Sequence, residues 1–517
     1  MKCLLEYCPF RDLPLIFSVP LTVALVLILA VAANLFSQLC YRVMFPYRAP
    51  IVPYLFPWVG SAVSYGQAPY EFFEENRKKY GDIFAFVLCG RVMTVCLGPR
   101  GHDFVFNAKL ADVSAEEAYK HLTTPVFGKG VIYDCPNSRL MEQKKFAKQA
   151  LTRDAFNSYV PKIVKEVTDY MSNREKFPGP GELLNVLNVT PELTIYTASR
   201  TLMGDEMRAK FSKRTAQLYG DLDKGFKPLN FVFPNLPLPY YKRRDIAREE
   251  IKGQYLEVIK RRRTEETEAY QRDLIDAIMN SSTYRDGVQM TDEEIASLCI
   301  GILMGGQHTS AATSAWILLH LGQDTRYQDL LFEEQERVLQ GHDLSYDDLL
   351  EMPLLTAIIR ETLRLHAPLH SIFRQVMRPL PLPGSSLSIP KGHYVMVSPG
   401  HTHTHDDWFK EASRFYPERW LDTDEVEKLT HASKTETIDY GFGSVSKGAS
   451  SPFLPFGAGR HRCIGEQFAM LQLGTIIITL VRKIKWTLPE GNRVPEIDFE
   501  SMVTLPKDPA DIIYTVR

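Results

Sequence analysis

The feature that most constrains the fold of this chain is an apolar stretch of about thirty residues from Thr291 to Leu321. Thr291 and Glu294 have the T-x-x-E spacing of a capping box, which predicts a helix start, and Gly322 is a typical helix terminator. At 1.5 Å per residue the helix is roughly 45 Å long, enough to cross a whole domain. Because so apolar a helix needs burial along its length, we expect it in the centre of a large core.

The remainder of the chain from about residue 61 has mostly helical periodicity. Strand patterns are short and few, and they occur at residues 84–88, 92–97 and Tyr394–Val397. We find no second linker, low-complexity tract or internal repeat after residue 61. The sequence therefore predicts a mainly α fold with minor β structure, with residues 61–517 as one domain.

A second apolar segment lies near the N-terminus, where no charged residue occurs between Leu13 and Tyr41. As a helix, residues 13–36 are roughly 36 Å long, which exceeds the ~30 Å hydrocarbon core of a bilayer. A secretory signal is the alternative, because residues 30–32 match an A-x-A cleavage site. Signal segments are usually only about 7–15 residues long, so we expect an uncleaved transmembrane anchor at 13–36.

Short segments flank this anchor, a tail at residues 1–12 and a linker at 37–60 that is rich in proline. Proline at this density disfavours helix, so the linker is predicted to be a semi-rigid spacer. Lys and Arg residues near the two ends of the anchor are balanced. The positive-inside rule therefore leaves the topology open.

Composition excludes several classes of protein. The net charge of −2 gives no global field for nucleic acid, and eight cysteines without framework spacing do not make a disulfide scaffold. No G-x-S-x-G, Walker or H-E-x-x-H motif occurs, which weakens hydrolase and phosphotransferase functions. His401, His403 and His405 alternate and could bind a metal, but we expect an exposed polar loop there.

The most informative segment is F-G-A-G-R-H-R-C-I-G at residues 456–465, followed by a helical pattern at 466–481. Cys463 thus lies just before a helix, where backbone N–H groups and the helix dipole lower the pKa of a thiol. Arg460, His461 and Arg462 add positive charge, so a thiolate that can bind iron is expected. A buried structural cysteine beside a solvated basic loop is the alternative.

This segment resembles the haem loop F-x-x-G-x-[RH]-x-C-x-G of the cytochrome P450 superfamily, with His461 at the R/H position. The resemblance implies a cytochrome P450 fold with a single N-terminal transmembrane helix. It also implies haem b as the cofactor and Cys463 as the axial ligand of the iron. Phe456, Gly457 and His461 are expected to contact the haem.

Two other segments follow the order of that superfamily. Glu361 and Arg364 share one face of a predicted helix at 354–365 and resemble its E-x-x-R motif. The segment F-Y-P-E-R-W at 415–420 resembles the later loop, which makes Arg419 the expected third member of a structural triad. A weak surface ion pair is the alternative for any E-x-x-R, but the order of the three elements argues against it.

The long helix contains G-G-Q-H-T at residues 305–309. Paired glycines cost a helix about 0.8–1 kcal/mol each and permit a kink or close approach of a ligand. The resemblance implies that Thr309 delivers protons to bound oxygen. Most of the superfamily has an acid before this threonine, whereas His308 is typical of the sterol 14α-demethylases, so both residues are predicted to be catalytic.

Residues 119–144 are similar to the substrate-contacting region of fungal sterol 14α-demethylases. By this similarity Tyr119, Tyr133, Lys144 and Arg374 are expected to bind the haem propionates, which need cationic or phenolic donors. The similarity also implies a set of sterol-cavity residues, although aromatic clusters are more often core than pocket: Thr123, Phe127, Phe226, Pro228, Phe231, Phe233, Gly306, His370, Ser371, Ser501 and Met502.

The implied function is that of a sterol 14α-demethylase. Three successive oxidations that use O2 and NADPH would remove the 14α-methyl group of lanosterol or eburicol as formate and leave the Δ14 sterol of ergosterol biosynthesis. A rival function is that of a non-oxygenating haem carrier or sensor, but such a protein would not need the 305–309 cluster. A monooxygenase of other lipids or xenobiotics is the second alternative.

The resemblance also implies partners and a location. Electrons would come from NADPH–cytochrome P450 reductase, with cytochrome b5 as a further donor. Membrane lipid and azole inhibitors are further expected partners, and nucleic acid is not. The expected location is the endoplasmic reticulum membrane, with a single span and the catalytic domain on the cytosolic side.

Overall fold

The computed structural model describes residues 14–226, 230, 233–234, 236–264, 273–424, 437–440, 444–446, 448–501 and 503–517. These residues form two compact units. The first contains the chain up to Leu97 together with Lys109–Val113 and Phe373–Met396, and the second contains Gly98–Ala108, Ser114–Ile372 and Val397–Arg517. Residues 61–517 contribute to both units, so their prediction as one domain stays a prediction.

Helices dominate the described residues, which confirms the mainly α fold class. In chain order they are α1 (Leu15–Met44), α2 (Ala62–Gln67), α3 (Pro69–Tyr80), α4 (Gly98–Phe106), α5 (Ala115–Phe127), α6 (Asn137–Lys148), α7 (Arg153–Ser172), α8 (Val186–Ala198), α9 (Gly204–Ala209), α10 (Lys213–Asp223), α11 (Pro239–Thr264), α12 (Leu274–Ser281), α13 (Asp292–Gln323), α14 (Arg326–Leu339), α15 (Tyr346–Leu350), α16 (Pro353–Leu365), α17 (Pro399–His403) and α18 (Glu466–Lys483).

The strands are short by comparison. They are β1 (Ile83–Leu88), β2 (Arg91–Cys96), β3 (Val113–Ser114), β4 (Leu183–Asn185), β5 (Ile372–Val376), β6 (Leu380–Pro381), β7 (Ser388–Ile389), β8 (Tyr394–Val397), β9 (Thr437–Asp439), β10 (Ser444–Ser446), β11 (Ile484–Thr487), β12 (Ile497–Asp498), β13 (Leu505–Pro506) and β14 (Asp511–Val516). The predicted strands at 84–88 and 92–97 form the antiparallel hairpin β1–β2, with bounds shifted by one residue at most ends. The third predicted strand is β8, with the bounds expected.

The first unit is built on a five-stranded sheet of order β1-β2-β8-β5-β3, in which β2 and β8 run parallel. Helix α1 is apolar and exposed, and its residues Phe17–Met44 are long and apolar enough to cross a membrane. It continues through Pro20 and past the predicted end at 36 to Met44. Residues 37–44, predicted as linker, are therefore helical, because the nearest proline that can stop the helix is Pro46.

The rest of the predicted linker is attached to the sheet and is not a free spacer. The Val52 N–H donates to Ala85 O at 2.7 Å, and the Ala85 N–H donates to Pro50 O at 2.7 Å. The side chain of Gln38 in α1 also exchanges two hydrogen bonds with the backbone of Tyr54, at 2.8 and 3.1 Å. The residues between the prolines keep backbone groups that pair with β1, and the role of this segment as a semi-rigid spacer stays a prediction.

In the second unit, α13 is the predicted long helix and occupies the core. The Thr291–Glu294 capping box is present, and α13 packs against helices that include α8, α11, α16 and α18. The predicted terminator is wrong, because the helix continues through Gly322 to a cap at Asp324. Packing is tight at Gly322, since a Cβ there would lie 3.2 Å from the Trp486 side chain and 3.3 Å from the Leu488 side chain.

The predicted exposed histidine loop is also wrong. Residues His401 and His403 lie in α17, where they are 6% and 0% exposed, and His405 follows directly after the helix. Pro399 begins the helix and the Ser398 hydroxyl caps it, which turns the alternating pattern into a helical one. Among the residues that the structure describes, no cluster of three or more potential metal ligands occurs.

Candidate functional site

The cysteine loop, residues 454–465, is a compact turn before α18. The Gly457 N–H donates to Leu454 O at 3.1 Å, and the Cys463 N–H donates to Phe456 O at 3.0 Å. Gly459 has a φ of +63°, and a Cβ there would lie 2.5 Å from the carbonyl oxygen of Phe106. The turn therefore needs glycine at this position both for its conformation and for its contact with α4.

Cys463 is an exposed residue in this turn. Desolvation raises the pKa of its thiol, and the Gly465 N–H together with the charges of Lys144 and Arg462 acts in the opposite direction. Desolvation, which the sequence prediction omitted, is the largest of these effects, and the predicted iron-bound thiolate stays a prediction.

Lys144 supports the cysteine loop from α6. Its Nζ donates to Arg460 O at 3.0 Å and to Arg462 O at 3.1 Å, the carbonyls on either side of His461. The predicted partner of Lys144 was a haem propionate. The structure shows the ammonium group bound to the backbone of the segment that carries Cys463, so its charge lies within the loop.

Three of the predicted haem contacts lie side by side. The ring of Tyr119 lies 5.3 Å from that of Tyr133, which lies 6.2 Å from the ring of His461. The side-chain nitrogens of Asn137 and His461 are 3.5 Å apart, and Asn137 also donates to Glu116 at 2.8 Å. Helix α5, the turn at Ile132–Asp134 and the cysteine loop are thus joined in one aromatic and polar row.

The glycine pair of α13 lies on an open face of an otherwise buried helix. Gly305 is exposed, and no described atom outside the helix lies within 4 Å of a Cβ built at Gly305 or Gly306. The Thr309 hydroxyl donates to Gly305 O at 3.2 Å, with Gly306 O at 3.4 Å. The helix is continuous here, so the glycines provide space and not a break.

His308 is half-buried and contacts an acid that the sequence analysis missed. Its Nε2 lies 2.7 Å from Asp223 Oδ1 at the end of α10. The residue before Thr309 is thus a histidine in contact with a carboxylate from another helix. No local sequence signal identifies Asp223, because its partner lies far along the chain.

Several predicted cavity residues lie together near α5 and α13. Thr123 and Phe127 are buried in α5, and the rings of Phe127 and Phe226 are 5.5 Å apart. A Cβ at Gly301 of α13 would lie 3.4 Å from the Phe127 ring. Phe233 is 51% exposed and its carbonyl accepts a hydrogen bond from the Tyr241 hydroxyl. Pro228, Phe231 and Met502 lie outside the described residues.

The remaining cavity candidates lie after α16 and near the C-terminus. His370 and Ser371 share a 2.9 Å hydrogen bond, and the His370 ring lies 5.7 Å from that of Phe499. Burial lowers the pKa of His370 to about 4, so its imidazole is neutral at pH 7. Ser501 is half-buried near Phe499 in the chain.

The E-x-x-R residues form a buried network. Arg364 donates two hydrogen bonds to Glu361 at 2.8 and 2.9 Å, and Arg419 Nε donates to the same carboxylate at 3.1 Å. Glu361 and Arg364 are 0% exposed and Arg419 is 3% exposed. Glu361 also accepts from the Tyr416 N–H and from Trp420 Nε1, each at 2.9 Å. A surface ion pair is therefore excluded.

Arg374 belongs to the first unit, in β5. Its side chain is buried, and its Nη1 donates to Phe373 O at 2.8 Å. Within the described part of the chain it has no carboxylate partner. Its role toward a propionate stays a prediction.

The donor set of the second unit fits a haem with an axial thiolate. It contains an accessible sulfur at a helix N-terminus, the cationic groups of Lys144 and Arg462, and the phenols of Tyr119 and Tyr133. The alternative of a buried structural cysteine does not account for the open face on α13 or for the glycine turn before Cys463. Fold and site together define a haem-thiolate oxidoreductase.

Comparison with known proteins agrees. The chain belongs to the cytochrome P450 family, whose family model matches residues 50–514. Its cofactor is accordingly a haem, and its class of activity is that of a monooxygenase. Retinoic acid bound cyanobacterial CYP120A1 has the same fold, with a TM-score of 0.74 at 20% identity, covering 91% of this chain and 99% of that chain.

Similar proteins in fungi have sterol demethylase names. A lanosterol 14-alpha demethylase of Candida tropicalis is 58% identical over 91% of this chain and 90% of its own length. Another protein of that name, from Eremothecium gossypii, is 54% identical over 95% of this chain and 93% of its own length. An eburicol 14-alpha-demethylase of Uncinula necator is 45% identical over 97% of this chain and 96% of its own length.

Proposed function

We propose that this chain is a sterol 14α-demethylase that acts on lanosterol or eburicol. The observation that carries the proposal is the 58% identity over 91% of the chain with a lanosterol 14-alpha demethylase. The His308–Thr309 pair on the open face of α13 agrees with it. The same reaction class accounts for an aromatic, largely uncharged set of cavity candidates, because a sterol is rigid and apolar.

The second unit offers the haem its ligand and most of its polar partners. Cys463 would supply the thiolate that binds the haem iron, and Tyr119, Tyr133 and Lys144 are proposed to bind the propionates. Arg374 is kept as a further propionate partner on the resemblance. Haem bound there supplies the oxidation of an unactivated C–H bond, and the thiolate favours O–O cleavage. Phe456, Gly457 and His461 contact the haem through the turn that carries Cys463.

Thr309 and His308 are proposed to handle protons at the open face of α13. The Thr309 hydroxyl has its hydrogen directed to Gly305 O, which leaves its oxygen lone pairs for a water or substrate group. The His308 Nε2 and Asp223 Oδ1 atoms lie 2.7 Å apart, and both side chains are partly accessible. The pair is proposed as a route by which protons from solvent approach the residue before Thr309.

The sterol is proposed to lie among the cavity candidates named from the sequence. The ring pair Phe127 and Phe226 provides an apolar wall near α13, with Thr123 on the same helix as Phe127. The neutral imidazole of His370 and the hydroxyl of Ser371 provide polar groups in a different segment. Residues Gly306, Phe231, Phe233, Ser501 and Met502 complete the proposed set.

Partners and location are proposed from the class of enzyme and from α1. The exposed apolar helix fits a single membrane span, and the endoplasmic reticulum with a cytosolic catalytic domain is the proposed placement. NADPH–cytochrome P450 reductase is the proposed electron donor, with cytochrome b5 as a second donor. Azoles, which carry a basic nitrogen that can ligate iron, are proposed inhibitors.

The proposal is tested by turnover with purified reductase and NADPH. Lanosterol and eburicol are supplied separately, and Δ14 sterol and formate are measured by mass spectrometry. The Cys463→Ala variant serves as a control that lacks the thiolate. If the wild-type protein has the thiolate-type carbon monoxide spectrum but converts neither sterol, the sterol function is wrong and a different monooxygenase substrate is required. A wild-type protein without that spectrum contradicts the haem site itself.

A further inference from the structure

His403 is a fully buried histidine for which neither the motifs nor the proposed reaction gives a role. It ends α17 and is 0% exposed. Its Nε2 accepts a hydrogen bond from the backbone N–H of Leu454 at 2.9 Å, and its carbonyl oxygen accepts one from Arg364 Nη1 at 2.7 Å. A single residue thus contacts both the buried E-x-x-R network and the start of the cysteine loop.

The Leu454 hydrogen bond requires a particular form of the imidazole. A ring nitrogen accepts only when it carries no proton, so His403 is neutral with its proton on Nδ1. Burial lowers the pKa of His403 well below its usual value, and the charges of His102 and Arg364 act in the same direction. The neutral form is therefore favoured at neutral pH, and its Nε2 is available to accept the Leu454 N–H.

Leu454 lies at the start of a series of backbone hydrogen bonds that ends at the ligand. Its carbonyl oxygen accepts from the Gly457 N–H at 3.1 Å, and the Phe456 carbonyl accepts from the Cys463 N–H at 3.0 Å. Phe453, the residue before Leu454, packs its ring 5.3 Å from that of His403. The position of Cys463 thus depends on where the Leu454 amide is held.

We propose that His403 is a positioning residue for the haem thiolate: its Nε2 holds the Leu454 amide and so couples the Glu361–Arg364 network to the turn that places Cys463. The inference rests on the proposed haem site. It gives His403 a role of its own within the H-x-H-x-H segment, through the Leu454 N–H that its Nε2 accepts. The group that acts is the lone pair on Nε2. Substitutions can therefore distinguish the effect of this acceptor from the effect of side-chain volume.

The test compares His403→Gln with His403→Asn. The Oε1 of glutamine comes near the Nε2 position and can still accept from Leu454, whereas the shorter asparagine reaches only the Nδ1 position. Thr404→Val is the matched control, because the Thr404 hydroxyl donates to Gly400 O at 3.1 Å and to His401 O at 3.3 Å, both within the α17 segment.

Two readouts are measured on the full-length protein. The first is the fraction of reduced protein with the thiolate-type carbon monoxide spectrum. The second is hydrogen exchange of the backbone amides from 454 to 463, which does not depend on activity. We expect His403→Asn to lose most of the thiolate-type fraction and to speed exchange at Leu454 about tenfold or more, because a buried N–H loses its acceptor. His403→Gln and Thr404→Val are expected to resemble the wild type.

Two results overturn the inference. Wild-type spectra and exchange in His403→Asn mean that the bond does not position the loop. Equal damage in His403→Gln and His403→Asn means that the ring matters only for its shape. If His403→Asn does not fold, the wild-type exchange map decides, since an unprotected Leu454 amide contradicts the bond. Failure of the proposed haem site is distinguished by the wild-type protein, which would then lack the thiolate spectrum while its exchange map still tests the bond. Failure of the sterol function alone leaves that spectrum and both readouts of this test unchanged.

Discussion

Removal of the charge of Glu361 is the perturbation whose effect the structure defines most sharply. Glutamine has nearly the same shape, so Glu361→Gln changes the charge with little change of volume. The carboxylate neutralises two guanidinium groups, those of Arg364 and Arg419, that are 0% and 3% exposed. Water cannot solvate the two guanidinium groups in place of the lost carboxylate, because both are buried.

The size of the effect follows from this burial. Breaking a buried ion pair by removing one partner costs about 3–5 kcal/mol, and here two cations lose their counterion. That loss is a large part of the about 5–15 kcal/mol that stabilises a native domain, and it raises the unfolded fraction roughly 10²- to 10⁴-fold. Glu361→Asp retains the charge and is expected to recover more than half of the loss.

The measurement is urea unfolding followed by tryptophan fluorescence, since Trp420 donates to Glu361 and reports on the network. We expect a lower midpoint with an unchanged slope. Asp169→Asn is the control, because it breaks an exposed helical ion pair with Lys165 and is expected to cost at most about 1 kcal/mol. Equal midpoints for Glu361→Gln and the wild type would show that the buried network does not stabilise the fold.

Three other changes have defined outcomes. Gly459→Ala should destabilise the cysteine loop by about 1–3 kcal/mol, because of its positive φ and its contact with Phe106, and haem retention on a desalting column should fall with it; full retention would refute the need for glycine. Burial lowers the pKa of His102 to about 4 in the folded chain. As the pH falls, this histidine is therefore protonated in the unfolded chain before it is protonated in the folded one, and the free energy of unfolding decreases between about pH 6.5 and about pH 4. His102→Gln should reduce that slope by up to roughly 1.4 kcal/mol per pH unit, as measured by urea midpoints across the range, and an unchanged slope would contradict the assignment. Asp223→Asn should lower turnover at least about tenfold with haem content and sterol binding retained, because His308 loses its acid partner; wild-type turnover would exclude this proton route.

Features that depend on neighbouring residues in the chain could be predicted well. Four elements begin within one residue of the predicted position. They are the helix that the Thr291 capping box starts, the two strands of the hairpin β1–β2, and strand β8. Such elements follow from side-chain periodicity and from caps within a turn or two. The spacing around Cys463 likewise carried its family resemblance without any tertiary information.

Errors arose where a local rule competed with a distant contact. Gly322 has the residue type of a helix end, but Trp486 and Leu488 use its missing side chain as space. The histidines of α17 have a polar alternating pattern, but the Ser398 cap and the surrounding core bury them in a helix. In both cases the deciding partner lies outside the window from which the prediction was made.

The sequence alone determined which chemical groups this protein has and the order in which they follow along the chain, because motifs and periodicity are properties of neighbours. Only the tertiary structure decided which groups meet. It placed Asp223 beside His308, brought Lys144 to the carbonyls of the cysteine loop, and joined His403 to Leu454. Charge state and hydrogen bonding depend on distance and on access to water, and both are settled by the packing of segments that lie far apart in sequence.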